Sequence, residues 1–313
     1  KHFTEADKER QLEDAMMLGD PITQLTIAME VDYFQLDRAE YFVPVTINVP
    51  GRELALAKRF GADHTVIDFL CEIKDATTGA TMSNLRDHID IKLSDETAAQ
   101  LARRRVEYDC GFTLFPGRYS IKFLARDDET ARIGTFQTYF VVPDLNDAKQ
   151  RVAISSVVLG SQHVDLGNAL YNVVHGKKQA KDNAANPLVQ NGSKLIPSVT
   201  RVFNRDQKLY VYLQAYKKDP PPPTGTTQAS SSEAKPANSY FAYANLYRND
   251  KLAYESTPIA VTAKPGTRLG VIPINFQIGL GSLAPGKYLW EVTVLDATGH
   301  RAAFWQGPFM LVK

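Results

Sequence analysis

Apolar and polar residues alternate at a period of two over most of this chain, a pattern that predicts strands. Leu25, Ile27, Met29 and Val31 alternate with polar partners, and Tyr41, Val43, Val45, Ile47 and Val49 do so after a turn at Asp37-Arg38. Pro44, inside the second run, predicts an edge position or a bulge. Further strands are expected over 65–74, 88–93 and 106–114, with one short helix over 53–60 and another capped by Ser94 or Asp95 and running to Arg104. The first twenty residues carry a helical period instead. Thr4 followed by Asp7 approximates a capping box, Leu12, Ala15, Met16 and Leu18 form an apolar stripe, and Gly19 and Pro21 stop the helix.

One stretch is said twice. PGRYSIKFLARDDETARIGTFQTYFVV, from Pro116 to Val142, returns from Pro285 as PGKYLWEVTVLDATGHRAAFWQGPFMLV at a constant offset of 169. Gly117 matches Gly286, Tyr119 matches Tyr288, Asp127 matches Asp296, Arg132 matches Arg301, Gln137 matches Gln306 and Phe140 matches Phe309. Each copy reads as a β-hairpin entered through a Pro-Gly turn, so the chain contains two tandem copies of one β domain. About seven short strands precede the end of the first copy, the count of an immunoglobulin-like sandwich, and Tyr119 and Tyr288 stand where a tyrosine corner belongs. Each is expected to be a core residue whose hydroxyl caps nearby backbone.

The fold class expected is therefore all-β: two tandem immunoglobulin-like sandwiches, over 21–145 and 146–313, behind an N-terminal helical arm over 1–20. In the second domain, strands are expected at 153–159, 199–203, 209–216, 240–247, 252–261 and 271–280. Residues 160–198 read as a long loop with one helical turn at 166–173. Residues 217–238, with four consecutive prolines and a Ser/Thr run, read as a mobile or polyproline-like excursion.

Two domains suit a length of 313 residues. A formal net charge of +1 supplies no basic field for nucleic acid or an anionic membrane, and no apolar run is long enough for a membrane-spanning helix. The start lacks the layout of a signal peptide, so the chain reads as a processed product or a piece of something longer.

Candidate chemistry is sparse. His2, His64, His88, His163, His175 and His300 form no zinc-binding spacing and read as surface histidines. No G-x-S-x-G nucleophile elbow occurs, and Gly279 and Gly281 read as a strand-ending turn. Asp127, Asp128 and Glu129 bunch at one hairpin tip and could help to hold calcium, but the matching tip is Asp296-Ala297-Thr298, and a solvated turn is the preferred reading. Asn191-Gly192-Ser193 is a glycosylation sequon by pattern only. No catalytic residue, cofactor or metal is expected. Tyr210, Tyr212 and Tyr216 share one strand face, with Tyr240 and Tyr247 as neighbours; sandwich packing accounts for them, with stacking on a glycan or a partner protein as the alternative.

The runs FTEADKERQLEDAMMLGDPITQLTIAMEVDYF and AEYFVPVTINVPGRELALAKR, the phrase KLIPSVTRVF and the ending AAFWQGPFMLV resemble the C-terminal half of the von Willebrand factor A-related proteins typical of acidobacteria. The resemblance covers essentially the whole chain and implies a secreted or cell-envelope protein in which an A-type domain precedes this region. The A domain's Asp-x-Ser-x-Ser metal signature appears nowhere here, so its metal-dependent adhesion chemistry does not carry over. In an exported domain, Cys71 and Cys110, both on the apolar alternation of their strands, favour a disulfide over two buried thiols. The function expected is a non-catalytic extracellular structural or assembly module. It would form a homo-oligomer or filament through sheet edges, the N-terminal stripe and aromatic surface. The alternative is an adhesion module that binds a polysaccharide or another cell-surface ligand.

Overall fold

The computed structural model describes residues 4–59, 61–147, 150–165, 186–217, 240–263 and 269–313. Strands dominate, joined by two short helices, α1 (Glu5–Met17) and α2 (Asp95–Leu101). The chain divides into two units that are not contiguous in sequence. The first takes residues up to Val31 and Phe42–Pro143; the second takes Asp32–Tyr41, Asp144–Asp165 and Pro187–Lys313. Residues 32–41 thus leave the first domain in which the strand pattern placed them.

Up to the linker, the strands are β1 (Ala28–Val31), β2 (Phe34–Gln35), β3 (Tyr41–Pro50), β4 (Ala57–Arg59), β5 (Ala62–Asp75), β6 (Thr81–Leu93), β7 (Arg105–Leu114), β8 (Gly117–Asp127) and β9 (Ile133–Val142). In the first unit β6, β5, β8 and β9 lie side by side, with β4 also on β5, and β3 pairs with β1 and β7. The two sheets share a core: the Phe69 ring of β5 stacks on Tyr108 of β7 at 4.2 Å, and Phe123 of β8 tilts against both. Every residue from Tyr41 to Val49 is buried, so β3 has no solvent face. Phe42 lies over β7, where a Cβ at Gly111 would meet its ring at 2.5 Å; the glycine there is a packing requirement. Pro44 lies not on an edge strand but just before the β1 ladder, which begins at Val45 opposite Val31, so its missing N–H costs that ladder nothing. The helix expected over 53–60 is a single 3-10 turn at Gly51–Glu53 followed by β4.

After the linker come β10 (Ala153–Ile154), β11 (Val158–Asp165), β12 (Val189–Gln190), β13 (Ser193–Pro197), β14 (Val202–Asn204) and β15 (Lys208–Tyr216). The rest are β16 (Tyr240–Arg248), β17 (Lys251–Glu255), β18 (Ile259–Val261), β19 (Val271–Gly279), β20 (Gly286–Asp296) and β21 (Arg301–Val312). One sheet is organised on β15, flanked by β19 on one side and by β10 and β11 on the other, with β13 and β12 beyond β11. The other runs β14, β21, β20, β16 and β17, with β18 also on β16. Inward residues of both, among them Val211, Leu213, Ile274, Leu246, Trp290 and Val292, form one core.

Strands β11, β12 and β13 take 160–165, 189–190 and 193–197 of the loop expected over 160–198. Asn191 and Gly192 both take positive φ, 51° and 78°, between the paired residues Gln190 and Ser193, the geometry of a two-residue type I′ turn. The glycosylation sequon is therefore also a hairpin turn. The helical turn expected at 166–173 lies outside the described residues, as does all of the Pro/Ser-rich segment except Lys217.

The repeated hairpin keeps its offset in three dimensions. Tyr119 Oη donates to the Phe115 carbonyl at 2.8 Å and Tyr288 Oη to the Ala284 carbonyl at 2.7 Å, each four residues back. Tyr119 faces Phe140, and Tyr288 faces Phe309, in the same register position. At the other end, Ala131 and His300 both adopt a left-handed backbone with φ of 57° and 49°. Replacing either corner tyrosine by Phe removes one hydroxyl and leaves a backbone carbonyl unpaired. Tyr119→Phe and Tyr288→Phe are each expected to lower the stability of their own unit by about 1–2 kcal/mol, read as a lower denaturant midpoint at unchanged m.

Candidate functional site

The N-terminal arm is a helix capped as its sequence suggests: the Asp7 amide donates to Thr4 Oγ1 at 3.2 Å and the Thr4 amide to Asp7 Oδ2 at 3.1 Å. Its stripe finds cover within its own unit. Leu12 and Ala15 are buried against Leu124 and Ile133, with Met16 partly buried beside them, while Leu18 is exposed. The helix ends over Lys122 of β8, whose ammonium donates to the Met16 carbonyl at 2.8 Å and to that of Leu18. A cation there satisfies carbonyls the helix leaves open and lies at the negative end of its dipole.

Beneath α1 runs a buried ionic network. Lys8 Nζ lies 2.9 Å from Asp68 and 3.1 Å from Asp128, and Arg126, 1% exposed, reaches Asp68 at 3.3 Å and Asp128 at 2.7 Å. Gln11 accepts from Arg126 Nε at 2.9 Å, and His88 Nδ1 lies 2.7 Å from Asp68 on its exposed side. Burial alone would raise the Asp128 carboxyl, but its bonds from Arg126 and Lys8 outweigh that and hold it below the usual carboxylate range. Burial likewise lowers the Lys8 ammonium, and its two carboxylate partners more than reverse the effect. These charges are matched among themselves, which makes them a docking device for the helix.

The acidic hairpin tip is a solvated turn only in part: Glu129 is exposed and Asp128 half-buried, but Asp127 is withdrawn from water. Asp127 is fully buried and accepts from Thr130 Oγ1 and from the amides of Ala55 and Glu129 at 2.9–3.0 Å. Its counterpart Asp296 accepts from the Gly299 amide and from Arg301 at 2.6 Å. Both carboxylates accept from their own hairpin turn, and Asp127 also accepts from Ala55. Among the described residues no three His, Cys, Asp or Glu side chains gather as a metal site would require.

The five tyrosines do not make one strip. Tyr210, Tyr212 and Tyr216 lie on β15, while Tyr240 and Tyr247 lie on β16 in the other sheet. Tyr212 packs with Phe34, Val158, Leu188 and Leu195, and Tyr216 Oη donates to Gln214 and accepts from the Gln35 amide at 2.8 Å. Burial pushes the Tyr212 hydroxyl up to about 12 and that of Tyr216 well above its ordinary value. Tyr240 is also buried, its hydroxyl beside Asp296. Tyr210, edge-on to His163 at 4.6 Å, and Tyr247 stay partly open.

No disulfide joins Cys71 and Cys110, contrary to the bond expected of them. Cys71 is buried on β5 between Phe69 and Ile73, and Cys110 is half-buried on β7, two residues from Tyr108, whose ring stacks on Phe69. Burial pushes the Cys71 thiol up to about 12.

Pattern reasoning passed over the edge of β9. Up to Thr135 this strand is covered on its outer side: Thr23 bridges Gly134, the Leu25 amide donates to the Ile133 carbonyl, and the Thr135 amide donates to that of Ile22. From Phe136 to Val142 it pairs with β8 alone among the described residues. Phe136, Tyr139 and Val141 are exposed, Tyr139 to 70%. Strands left this way are usually blunted by a charge, a proline or a bulge, and FQTYFVV contains neither charge nor proline. The same edge of the second copy is blunted: Pro308 of β21 stands at the position of Tyr139, and β14 pairs in parallel with Met310–Val312.

No family model and no curated protein matches the chain. Among solved structures, a calcium-binding mutant of Bacteroides uniformis beta-glucuronidase 2 aligns at 10% identity over 37% of this chain and 13% of that one, with a TM-score of 0.24. The X-ray structure of Northeast Structural Genomics Consortium target SoR45 aligns at 14% identity over 40% of this chain and 91% of that one, with a TM-score of 0.25. Likenesses at these scores carry no weight for fold or function.

Two measurements check this geometry. Arg126→Met leaves Lys8 alone against the Asp68 and Asp128 carboxylates beneath α1 and is expected to cost about 3–5 kcal/mol of stability in the first unit, measured by denaturant titration. Thiol titration of the denatured, unreduced chain is expected to return two thiols, with Cys71 slow to react in the native state because so little of it is thiolate; a count of zero would restore the disulfide.

Proposed function

We propose that this chain is a non-catalytic extracellular structural or assembly module, built from two tandem immunoglobulin-like β-sandwiches, that engages copies of itself through β9. The two tyrosine corners on repeated hairpins support the immunoglobulin-like reading. The resemblance to von Willebrand factor A-related proteins supports an extracellular or envelope location. The observation that carries the assembly reading is the uncharged edge from Phe136 to Val142, unpaired on its outer side among the described residues.

That edge is suited to its own antiparallel copy. A two-fold axis at Tyr139 sets Thr138 opposite Phe140, Gln137 opposite Val141 and Phe136 opposite Val142, and no pair brings charges together. Such a contact closes on itself, so it gives a dimer; a filament requires a second, independent contact. The N-terminal stripe is a weaker assembly element than its sequence suggests, because α1 spends it on its own sheet.

Sedimentation velocity over a concentration series is expected to show the full chain in a concentration-dependent monomer–dimer equilibrium. Tyr139→Lys sets two like charges against each other at the axis and is expected to leave only monomer. The substituted side chain is 70% exposed, so stability should stay within about 0.5 kcal/mol of the parent. A full chain that is monomeric at high concentration, or a dimer indifferent to the substitution, overturns the reading.

A further inference from the structure

We infer a second binding surface, for a neutral polysaccharide, on the outward face of the β16–β20–β21 sheet. The register of these strands arranges that face in rows. Tyr243, Thr293 and Phe304 form one row; Asn245, Glu291 and Gln306 the next; Tyr247, Leu289 and Pro308 the third. A polar row therefore runs between two rows that carry rings. The opposite side of the sheet, with Ala244, Leu246, Trp290 and Val292, is already committed to the core.

The polar row is connected, with Gln306 exposed and Asn245 shielded beneath it. Gln306 Nε2 donates to Glu291 Oε2 at 2.7 Å, and Asn245 Nδ2 lies 3.4 Å from both Glu291 Oε1 and the Tyr247 hydroxyl. Asn245 is 8% exposed, yet its carboxamide oxygen accepts no hydrogen bond. Beside this row Phe304 is 67% exposed, and Leu289 and Pro308 are also exposed. Four residues of strand separate Tyr243 from Tyr247, about 14 Å, and the three strands span about 10 Å, a platform for an oligosaccharide rather than a single sugar.

The chemistry selects the occupant. An apolar peptide or a second apolar sheet would bury the Glu291 carboxylate and the Asn245 amide without new partners. A phosphate backbone would meet a carboxylate where it needs cations. A pyranose presents an apolar C–H face that stacks on aromatic rings and a rim of hydroxyls that both donate and accept, which matches rings flanking an amide–carboxylate–amide row. Glu291 at the centre disfavours uronic acids, so the ligand is neutral.

Affinity gel electrophoresis of the full chain through hydroxyethylcellulose, glucomannan, arabinoxylan and polygalacturonate tests this. Retardation is expected in at least one neutral polysaccharide and not in polygalacturonate. Phe304→Ala should weaken the interaction about tenfold and Glu291→Ala should also weaken it. Phe304 and Gln306 are exposed, so Phe304→Ala and Gln306→Ala should keep the parent's circular dichroism and melting temperature. No retardation in any neutral polysaccharide, retardation only in polygalacturonate, or retardation indifferent to both exposed-residue variants overturns the inference. Because the assembly reading is tested at Tyr139 by sedimentation, either can fail without the other.

Discussion

A tyrosine hydroxyl bonded to a carbonyl four residues back fixes the corner of each repeated hairpin, and much of each unit follows from it. The bond ties the turn that precedes β8 or β20 to the start of the strand, so the ring must point inward, against Phe140 or Phe309. With that residue set inward, the period of two decides which face every later residue of the strand takes. Ile121, Phe123 and Ala125 then enter the first core as Trp290, Val292 and Val294 enter the second. The far end is closed by a buried aspartate, and Ala131 and His300 absorb the left-handed turn. One hydrogen bond at the corner and one carboxylate at the tip thus hold a hairpin in register along its length.

A sheet with one apolar face needs only one partner, but the central sheets of both units are covered twice. On β5 and β8 the outward residues are Asp68, Leu70, Leu124 and Arg126, and α1 lies over them. Covering charges costs several kcal/mol per ion unless they are paired, and Lys8 and Gln11 from the helix complete the pairing. On β15 the outward tyrosines are closed over by Phe34, Leu188 and Leu195. In each case part of the cover comes from a segment distant in sequence, more than a hundred residues for Gln35 and Tyr216.

That separation explains how much could be read beforehand. The capping box at Thr4, the corner tyrosines and the offset repeat are local or self-matching signals, and all were legible. The inward set of β5 and β7 was legible too, because it rests on alternation alone. What covers an outward face is not written beside it, so alternation left open what closes over Tyr212 and Tyr216, and Asp127 passed for a solvated tip. The β12–β13 hairpin is a different case. Asn191-Gly192 is a strong type I′ signal, but the flanking strands are two and five residues long, too short for alternation to register.

The two copies diverge at their edges, and this is where a difference in role is most readily located. Their inward residues are constrained by the same corner and the same core, so drift there would cost stability in either copy. The outer edge of the last hairpin strand carries no such constraint. In the second copy it is blunted by Pro308 and by β14, the devices that keep a sheet from recruiting another chain. In the first it is left uncharged, with Phe136, Tyr139 and Val141 exposed. A chain that possesses the blunting device in one repeat and omits it in the other has an edge whose openness needs a reason, and pairing with a second chain supplies one. On the proposed reading, the face of the second copy would serve a ligand of a different kind, with one hairpin connecting chains and the other holding what they gather on.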